Sequence, residues 1–239
     1  MEGKQIPIWV YVDRVEEDKF KMGYKQAIIK FKGNILGKLI VNRYGKFIAM
    51  SSIKYQLIPN EVVFMKLIKQ GFKKEYEDEV MLVMRKDLND KSIYIINSMD
   101  GKHALRVLIV GKLALPIMSK KHYQSVIEFV EKLDDIIRDG ISWYDSVVEV
   151  LERELNKDVG EDFIKMIENS DEIPQYVSRA IRGEYYRRIR NGMVRLMDLY
   201  MVGVKAILNR ISTRWDTKLN LIRELNTLFK IFDLLEGVR

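Results

Sequence analysis

Apolar positions alternate in short runs through the first half of the chain and switch to helical spacing in the second half. Residues 6–12 (IPIWVYV), 26–32 (QAIIKFK), 35–42 (ILGKLIVN) and 46–51 (KFIAMS) are rich in β-branched and aromatic residues, and each predicts a strand. Gly33-Asn34 and Arg43-Tyr44-Gly45 are turn signals between the last three, so these runs predict an antiparallel meander. Pro59-Asn60-Glu61 then opens a helix, with Asn60 as N-cap, Val63, Leu67 and Ile68 at helical spacing, and Gly71 as the stop. Further strands are expected at 79–86, 91–97 and 104–116, the last in two pieces divided near Gly111.

After Pro116 the period changes. Ser119 is placed to cap a helix with Tyr123, Val126, Ile127, Val130, Leu133 and Ile137 on one stripe. The remainder predicts helices near 142–157, 161–169, 175–191, 192–211 and 214–236. Strands followed by helices, rather than strands alternating with them, mark an α+β fold. The expected architecture is an N-terminal antiparallel β-meander with a packed helix, followed by a C-terminal helical bundle. This corresponds to a strand-rich basic domain over 1–118 and a helical domain over 119–239. No internal repeat or low-complexity segment stands out.

Composition narrows the class. With 47% apolar and 31% charged residues the chain can bury a sizeable core, and 4 Pro and 14 Gly argue against long disordered linkers. The absence of Cys excludes disulfides, thiolate chemistry and Cys-based zinc sites. The opening Met1-Glu2-Gly3-Lys4-Gln5 does not lead into the apolar run of a signal peptide. The stretch Ala104–Met118 is too short to span a bilayer and is interrupted by Arg106 and Lys112. The expectation is a soluble cytoplasmic protein without a membrane partner, in a host cytoplasm if the gene is viral or plasmid-borne.

Charge changes the picture most. The net charge of +7 is unevenly spread. From Lys19 to Asn60 there are nine cations (Lys19, Lys21, Lys25, Lys30, Lys32, Lys38, Arg43, Lys46 and Lys54) and no acid. From Glu128 to Glu172 fifteen acids face five bases, and a second basic cluster follows at Arg179, Arg182, Arg187, Arg188, Arg190 and Arg195. Segregated charge of this kind sets up a directional field. Lys30 and Lys32 are expected on one face of their strand, with Tyr24, Tyr44 and Tyr55 among the cations. Lysines neutralise phosphates and tyrosines stack on exposed bases. The expected nucleic-acid contacts are therefore Lys25, Lys30, Lys32, Lys38, Arg43, Tyr44, Lys46, Lys54 and Tyr55. Arg179, Arg182, Tyr186 and Arg190 join them, opposite an apolar stripe of Val177, Ile181, Tyr185, Ile189, Met193, Leu196 and Tyr200. The competing readings are a sheet face solvated by lysine, and arginines paired with the acidic helices upstream.

Signatures of catalysis are weak. Gly33-Asn-Ile-Leu-Gly37-Lys38-Leu39 is one residue short of a phosphate-binding loop and lacks its hydroxyl. His103 and His122 do not have the spacing of a metal pair. Glu79, Asp87, Asp90 and Asp100 are candidate carboxylates for a metal-dependent nuclease, but Asp87, Asp90 and Asp100-Gly101 also read as turn chemistry. No cofactor or metal site is expected. The last helix repeats Leu221, Leu225, Leu228, Phe232 and Leu235 at four-and-three spacing, a seam for self-association or for packing within the bundle.

The run from Tyr44 to Glu61 (YGKFIAMSSIKYQLIPNE) resembles a segment of a large family of phage- and plasmid-borne proteins of unknown function, in which a strand ends in tyrosine and an asparagine starts a helix. Asn97-Ser98-Met99-Asp100-Gly101-Lys102-His103-Ala104-Leu105-Arg106 is similar to the Asn-Ser-x-Asp-Gly-x-x-Ala-x-Arg run of that family. The resemblance spans residues 20–140 and implies a mobile-element setting, and hence DNA handling. At fold level, a meander followed by a helix also resembles the core of phage single-strand annealing proteins. The leading expectation is a non-enzymatic protein that binds or anneals single-stranded DNA, with self-association through 214–236 as an accessory property. The alternatives are an interaction module for a host factor and a metal-dependent nuclease.

Overall fold

The computed structural model describes residues 10–100, 104–121, 126–231 and 233. The chain divides into two compact units, Met1–Ile109 with Pro116–Arg138, and Val110–Leu115 with Asp139–Arg239.

The first unit begins with a four-stranded antiparallel sheet in chain order: β1 (Val10–Glu17), β2 (Lys25–Phe31), β3 (Asn34–Val41) and β4 (Phe47–Ser51). Alternation along β2 sends Gln26 and Ile28 to one face and Ala27 and Ile29 to the other. Cross-strand pairing lines Gln26 with Ile40 and Ala49, and Ile28 with Lys38 and Ser51. That face is internal: Ile40 and Ala49 pack with Tyr24, Tyr55, Leu57 and Met99 in one buried cluster. Gly37 permits the close approach of β3 and β4, because a Cβ there would lie 2.4 Å from the Ser51 carbonyl oxygen.

Next come α1 (Asn60–Ile68) and a second sheet ordered β5 (Lys73–Glu77), β6 (Met81–Leu88), β7 (Lys91–Ser98), β8 (Ala104–Val110) and β9 (Ala114–Lys121). Val63 and Leu67 bury one side of α1, which packs on β6 and β7. α2 (Val126–Glu131) and the first turns of α3 (Leu133–Leu155) belong to the same unit. Lys66 Nζ donates to the Glu131 carbonyl at 2.5 Å, and Gln70 Nε2 donates to the Asp134 carboxylate.

In the second unit the turn of the β8–β9 hairpin is held by side chains of the helices. Tyr144 Oη donates to the Leu113 carbonyl at 2.9 Å and accepts from the Leu113 N–H at 3.0 Å. Tyr200 Oη accepts from the Ala114 N–H at 3.1 Å, and Asn226 Nδ2 donates to the Ala114 carbonyl at 3.0 Å. With the Gly111 N–H, which donates to the Leu113 carbonyl at 2.8 Å, these bonds satisfy backbone groups at the buried end of the hairpin. α4 (Glu161–Glu168), α5 (Gln175–Ile189), α6 (Leu196–Leu208) and α7 (Trp215–Leu228) complete the unit.

The helical unit contains a repeat that the sequence reading missed. α4 and α6 end on Asn169 and Asn209, and α5 and α7 begin at Gln175 and Trp215, a constant offset of 40 residues. Both terminal asparagine N–H groups bond to the same relative carbonyls, those of Lys165 and Ile167 in one copy and Lys205 and Ile207 in the other. The signal in sequence is Lys-x-Ile-x-Asn at 165–169 and 205–209, too brief to notice without the caps. The segments entering α4 and α6 pair antiparallel at Asp158 and Arg195, with the Val159 N–H donating to the Val194 carbonyl at 2.9 Å.

The α+β expectation holds, and several boundaries move. The first strand starts at Val10 and runs to Glu17, while residues 1–9 lie outside the described residues. β5 was not foreseen because KKEYE is nearly all polar; it is an edge strand with one partner, β6. Ser119 does not cap a helix. It lies in β9, where pairing in the second sheet overrides the local helical period, and the stripe from Val130 to Ile137 is divided between α2 and α3. Tyr123 falls outside the described residues. Asn60 does not cap α1 with its side chain, which is buried and used elsewhere. The seam of α7 faces its own unit, with Ile222, Leu225 and Asn226 buried; Phe232 and Leu235 lie outside the described residues. Among the described residues no helix is long and apolar enough to cross a membrane.

Candidate nucleic-acid interface

Two loops build one end of the first sheet. In the β1–β2 loop the buried Asp18 carboxylate accepts from the N–H groups of Phe20 (3.0 Å), Met22 (3.1 Å) and Tyr24 (2.9 Å). The Asp18 carboxylate thereby fixes a loop that exposes Lys19 and Lys21. In the β3–β4 turn, Asn42 Oδ1 accepts from the N–H groups of Tyr44 and Lys46, both at 2.9 Å, and Gly45 supplies the positive φ of 80°. The loops are neighbours: a Cβ on Gly23 would lie 3.2 Å from Arg43 Cβ, and Lys25 pairs with Val41 across β2 and β3.

Together they bring Lys19, Lys21, Lys25, Arg43, Tyr44 and Lys46 to the same end of the sheet. Tyr44 is 81% exposed, and the Arg43 guanidinium sits 5.3 Å from its ring centroid. Arg43 also meets Glu61 at 3.4 Å, and Lys46 pairs with Glu79. Glu61 accepts as well from Tyr24 Oη at 3.0 Å; burial first, and this carboxylate second, push the Tyr24 hydroxyl well above its ordinary pKa. Among the described residues no carboxylate lies within ion-pair distance of Lys19, Lys21, Lys25 or Lys54. Lys54 is exposed in the segment after β4.

The other expected contacts lie elsewhere. Lys30 pairs with Asp13 at 2.8 Å, and Lys32 lies beyond the strand in the β2–β3 turn, at φ 48°, so these two do not share a strand face. Lys38 is buried, with its ammonium 3.3 Å from Glu16 and 3.3 Å from the Tyr55 carbonyl. Tyr55 is buried too, its hydroxyl donating to the Ser98 carbonyl at 3.4 Å. Burial acts to raise the Glu16 carboxyl, but hydrogen bonds from Arg14 and Lys38 outweigh it and hold the group below its ordinary range. The acid-free run is therefore not acid-free in space. Antiparallel pairing lays Asp13 and Glu16 of β1 against β2 and β3, and Glu61 and Glu79 reach Arg43 and Lys46 from outside the run.

In the second unit Arg179, Arg182, Tyr186 and Arg190 are exposed on α5, opposite buried Val177, Ile181 and Tyr185. Arg182 pairs with Glu168 at 2.8 Å, and Tyr186 Oη donates to Glu161 at 3.4 Å. Arg187 and Arg188 both bond Glu184, and these hydrogen bonds hold its carboxyl down at about 2. Much of the basic cluster is thus paired with acids of its own unit. The apolar stripe ends early: Ile189 and Met193 are exposed, Leu196 is half-buried, and only Tyr200 returns to the core.

A cavity of about 320 Å³ in the first unit is lined by Gly71, Lys73, Lys74, Glu75, Arg85, Lys86 and Asp87. Its polar groups largely satisfy one another. Asp87 accepts from Ser92 and Arg85, which lower its pKa, Lys74 pairs with Glu77, and Lys86 donates to the Gln70 carbonyl. Among the described residues no group of three or more His, Asp or Glu side chains is arranged to hold a metal. Asp100 is described, with its N–H bonded to Ser98 Oγ at 3.4 Å; His103 and His122 are outside the described residues. No protein-family model, curated protein or solved structure matches this chain.

Proposed function

We propose that the protein binds single-stranded nucleic acid, without chemistry on it, through the loop end of the first sheet. The observation that carries this reading is Tyr44. Its ring is open to solvent, backed by the Arg43 guanidinium, and shares a sheet end with Lys19, Lys21 and Lys25. An exposed aromatic on a turn fixed by Asn42, among cations, offers a stacking surface for a base and neutralising partners for the flanking phosphates. Such contacts use features common to all bases, so sequence preference should be small. A role in binding or annealing DNA of a mobile element fits the resemblance noted in the sequence.

The test is fluorescence anisotropy with single-stranded and duplex oligonucleotides of DNA and RNA across a salt series. Single strands should bind tightest, and affinity should fall steeply with salt. Tyr44→Ala should weaken binding about tenfold, the scale of one base–aromatic stack. Absence of binding at low salt, or equal losses from Lys25→Glu and Lys30→Glu, would sink the proposal, because Lys30 is at the opposite end of β2 and already paired.

A further inference from the structure

The cavity beside β5 is only partly neutralised by its own acids. It is lined by four cations, Lys73, Lys74, Arg85 and Lys86, and by two carboxylates, Glu75 and Asp87. Asp87 takes Arg85, and Glu77, from outside the lining, takes Lys74. Lys73 and Lys86 are left with no carboxylate within ion-pair distance among the described residues. Lys73 acts on Asp87 only by longer-range attraction, and Lys86 donates to the Gln70 carbonyl at 2.8 Å. Register sets Lys73 directly opposite Arg85, a like-charge pair that costs stability when nothing lies between. Lysines on an edge strand guard it against pairing, which accounts for those of β5. It does not account for Arg85, which is half-buried on β6, a strand paired on both sides.

Arg85 is also held in a set orientation. Its Nε donates to Asp87 at 2.7 Å, its Nη2 to Ser92 Oγ at 3.4 Å, and its guanidinium lies 5.6 Å from the Tyr94 ring centroid. Ser92 Oγ in turn donates to Asp87 at 2.5 Å. Nη1 has only Glu75, at 3.8 Å, beyond hydrogen-bond reach. A guanidinium fixed through two of its nitrogens, with the third open, is arranged to grip an oxyanion. We infer that this cavity binds the phosphate group of a small molecule, with Arg85, Lys73 and Lys86 as its donors. An anion there separates Lys73 from Arg85 and offsets the excess of cations over carboxylates in the lining, and a phosphate monoester carries nearly two negative charges at neutral pH. The volume of about 320 Å³ is at the low end for ligand pockets, the size for a small molecule rather than a polymer. The cavity is also removed from the loop end of the first sheet. Glu79, which meets Lys46, is in the β5–β6 turn, whereas Lys73 and Arg85 pair at the other end of that hairpin, on the order of 20 Å along the strands. The inference stands on the cavity alone and is independent of nucleic-acid binding.

Calorimetric titration of the full chain with inorganic pyrophosphate, in about 0.1 M salt to screen diffuse surface charge and without divalent cations, should show one saturable site per chain. Lys73→Gln should weaken it about tenfold, the scale of one charge-assisted hydrogen bond, and leave the melting temperature of the ligand-free protein unchanged. Arg85→Lys, which keeps the charge but loses the fork, should weaken it as well. Lys30→Gln removes a cation already paired with Asp13 and should leave it unaltered. A single-stranded oligonucleotide is the second arm: its affinity should be the same for the wild type and for Lys73→Gln. No saturable binding of pyrophosphate, or an equal loss from Lys30→Gln, would overturn the inference. A loss of oligonucleotide affinity in Lys73→Gln matching the loss for pyrophosphate would overturn it too, and assign the cavity to the path of a nucleic-acid strand.

Discussion

Asn97 Nδ2 donates to Asn60 Oδ1 at 2.8 Å and to the Ile58 carbonyl at 3.1 Å, with both asparagines buried. The bond joins β7 to the first turn of α1 and ties together the two short motifs singled out in the sequence. Two acceptors fix the orientation of the Asn97 amide and leave its Oδ1 without a partner in the described structure. Asn97→Ala removes the donor from two buried acceptors and should cost about 2–3 kcal/mol. Asn97→Asp should cost more, because it sets an acceptor against both. Asn60→Ala strands only one group and should cost about 1–2 kcal/mol. Urea midpoints of the three variants check the order.

Lys38 is a buried cation held by Glu16 and the Tyr55 carbonyl. Lys38→Met keeps the volume of the stem but takes the ammonium from the Tyr55 carbonyl and from the part-exposed Glu16, and should cost about 1–3 kcal/mol. It should leave oligonucleotide affinity unchanged. A loss of binding equal to that of Lys25→Glu would place Lys38 at the ligand and refute its structural role.

Gly37→Ala should destabilise the first sheet by about 2 kcal/mol or more, because the new methyl meets the Ser51 backbone oxygen at 2.4 Å and backbone gives way less readily than a side-chain tip. Gly33→Ala meets no atom within 4 Å and suffers only from its φ of 83°, so its penalty should be the smaller. Thermal denaturation of the pair separates steric conflict from backbone strain.

Glu184 carries a pH prediction. Hydrogen bonds from Arg187 and Arg188 hold its carboxyl at about 2, against 4.5 for an unperturbed glutamate. A depressed carboxyl stabilises the fold above the unfolded-state value and loses that contribution as pH falls toward 2. With solvent screening the amount is about 1 kcal/mol. The urea midpoint of the wild type should therefore fall more steeply between pH 5 and 2.5 than that of Glu184→Gln. Equal slopes would show that the arginine pair does not hold this proton off.

Tyr200→Phe removes the hydroxyl that accepts from the Ala114 N–H and donates to Asn226 Oδ1. The ring remains, so the loss of about 1–3 kcal/mol reports the stranded polar groups alone. Tyr144→Phe removes a partner from both backbone groups of Leu113, whose carbonyl keeps the Gly111 N–H, so it should cost no more than Tyr200→Phe, and both losses should appear in the unfolding of the helical unit.

The order of elements and the α+β class were legible in the amino-acid pattern, because side-chain alternation and helical spacing are local properties. Arg43-Tyr44-Gly45 announced its turn for the same reason, whereas Tyr24, Tyr44 and Tyr55 read alike in sequence and only Tyr44 is exposed. β5 was hidden because an edge strand with one neighbour tolerates polar residues on both faces. The helical period beginning at Ser119 misled because strand pairing in the second sheet is a non-local gain that overrides propensity. The fate of each cation was the least legible feature. Lys25, Lys30 and Lys38 are alike in sequence, yet one is exposed with no carboxylate partner among the described residues, one pairs with Asp13, and one is buried against Glu16. Charge per residue is written in the chain; which opposite charge comes within 4 Å is decided by strand register, and only the tertiary structure sets that.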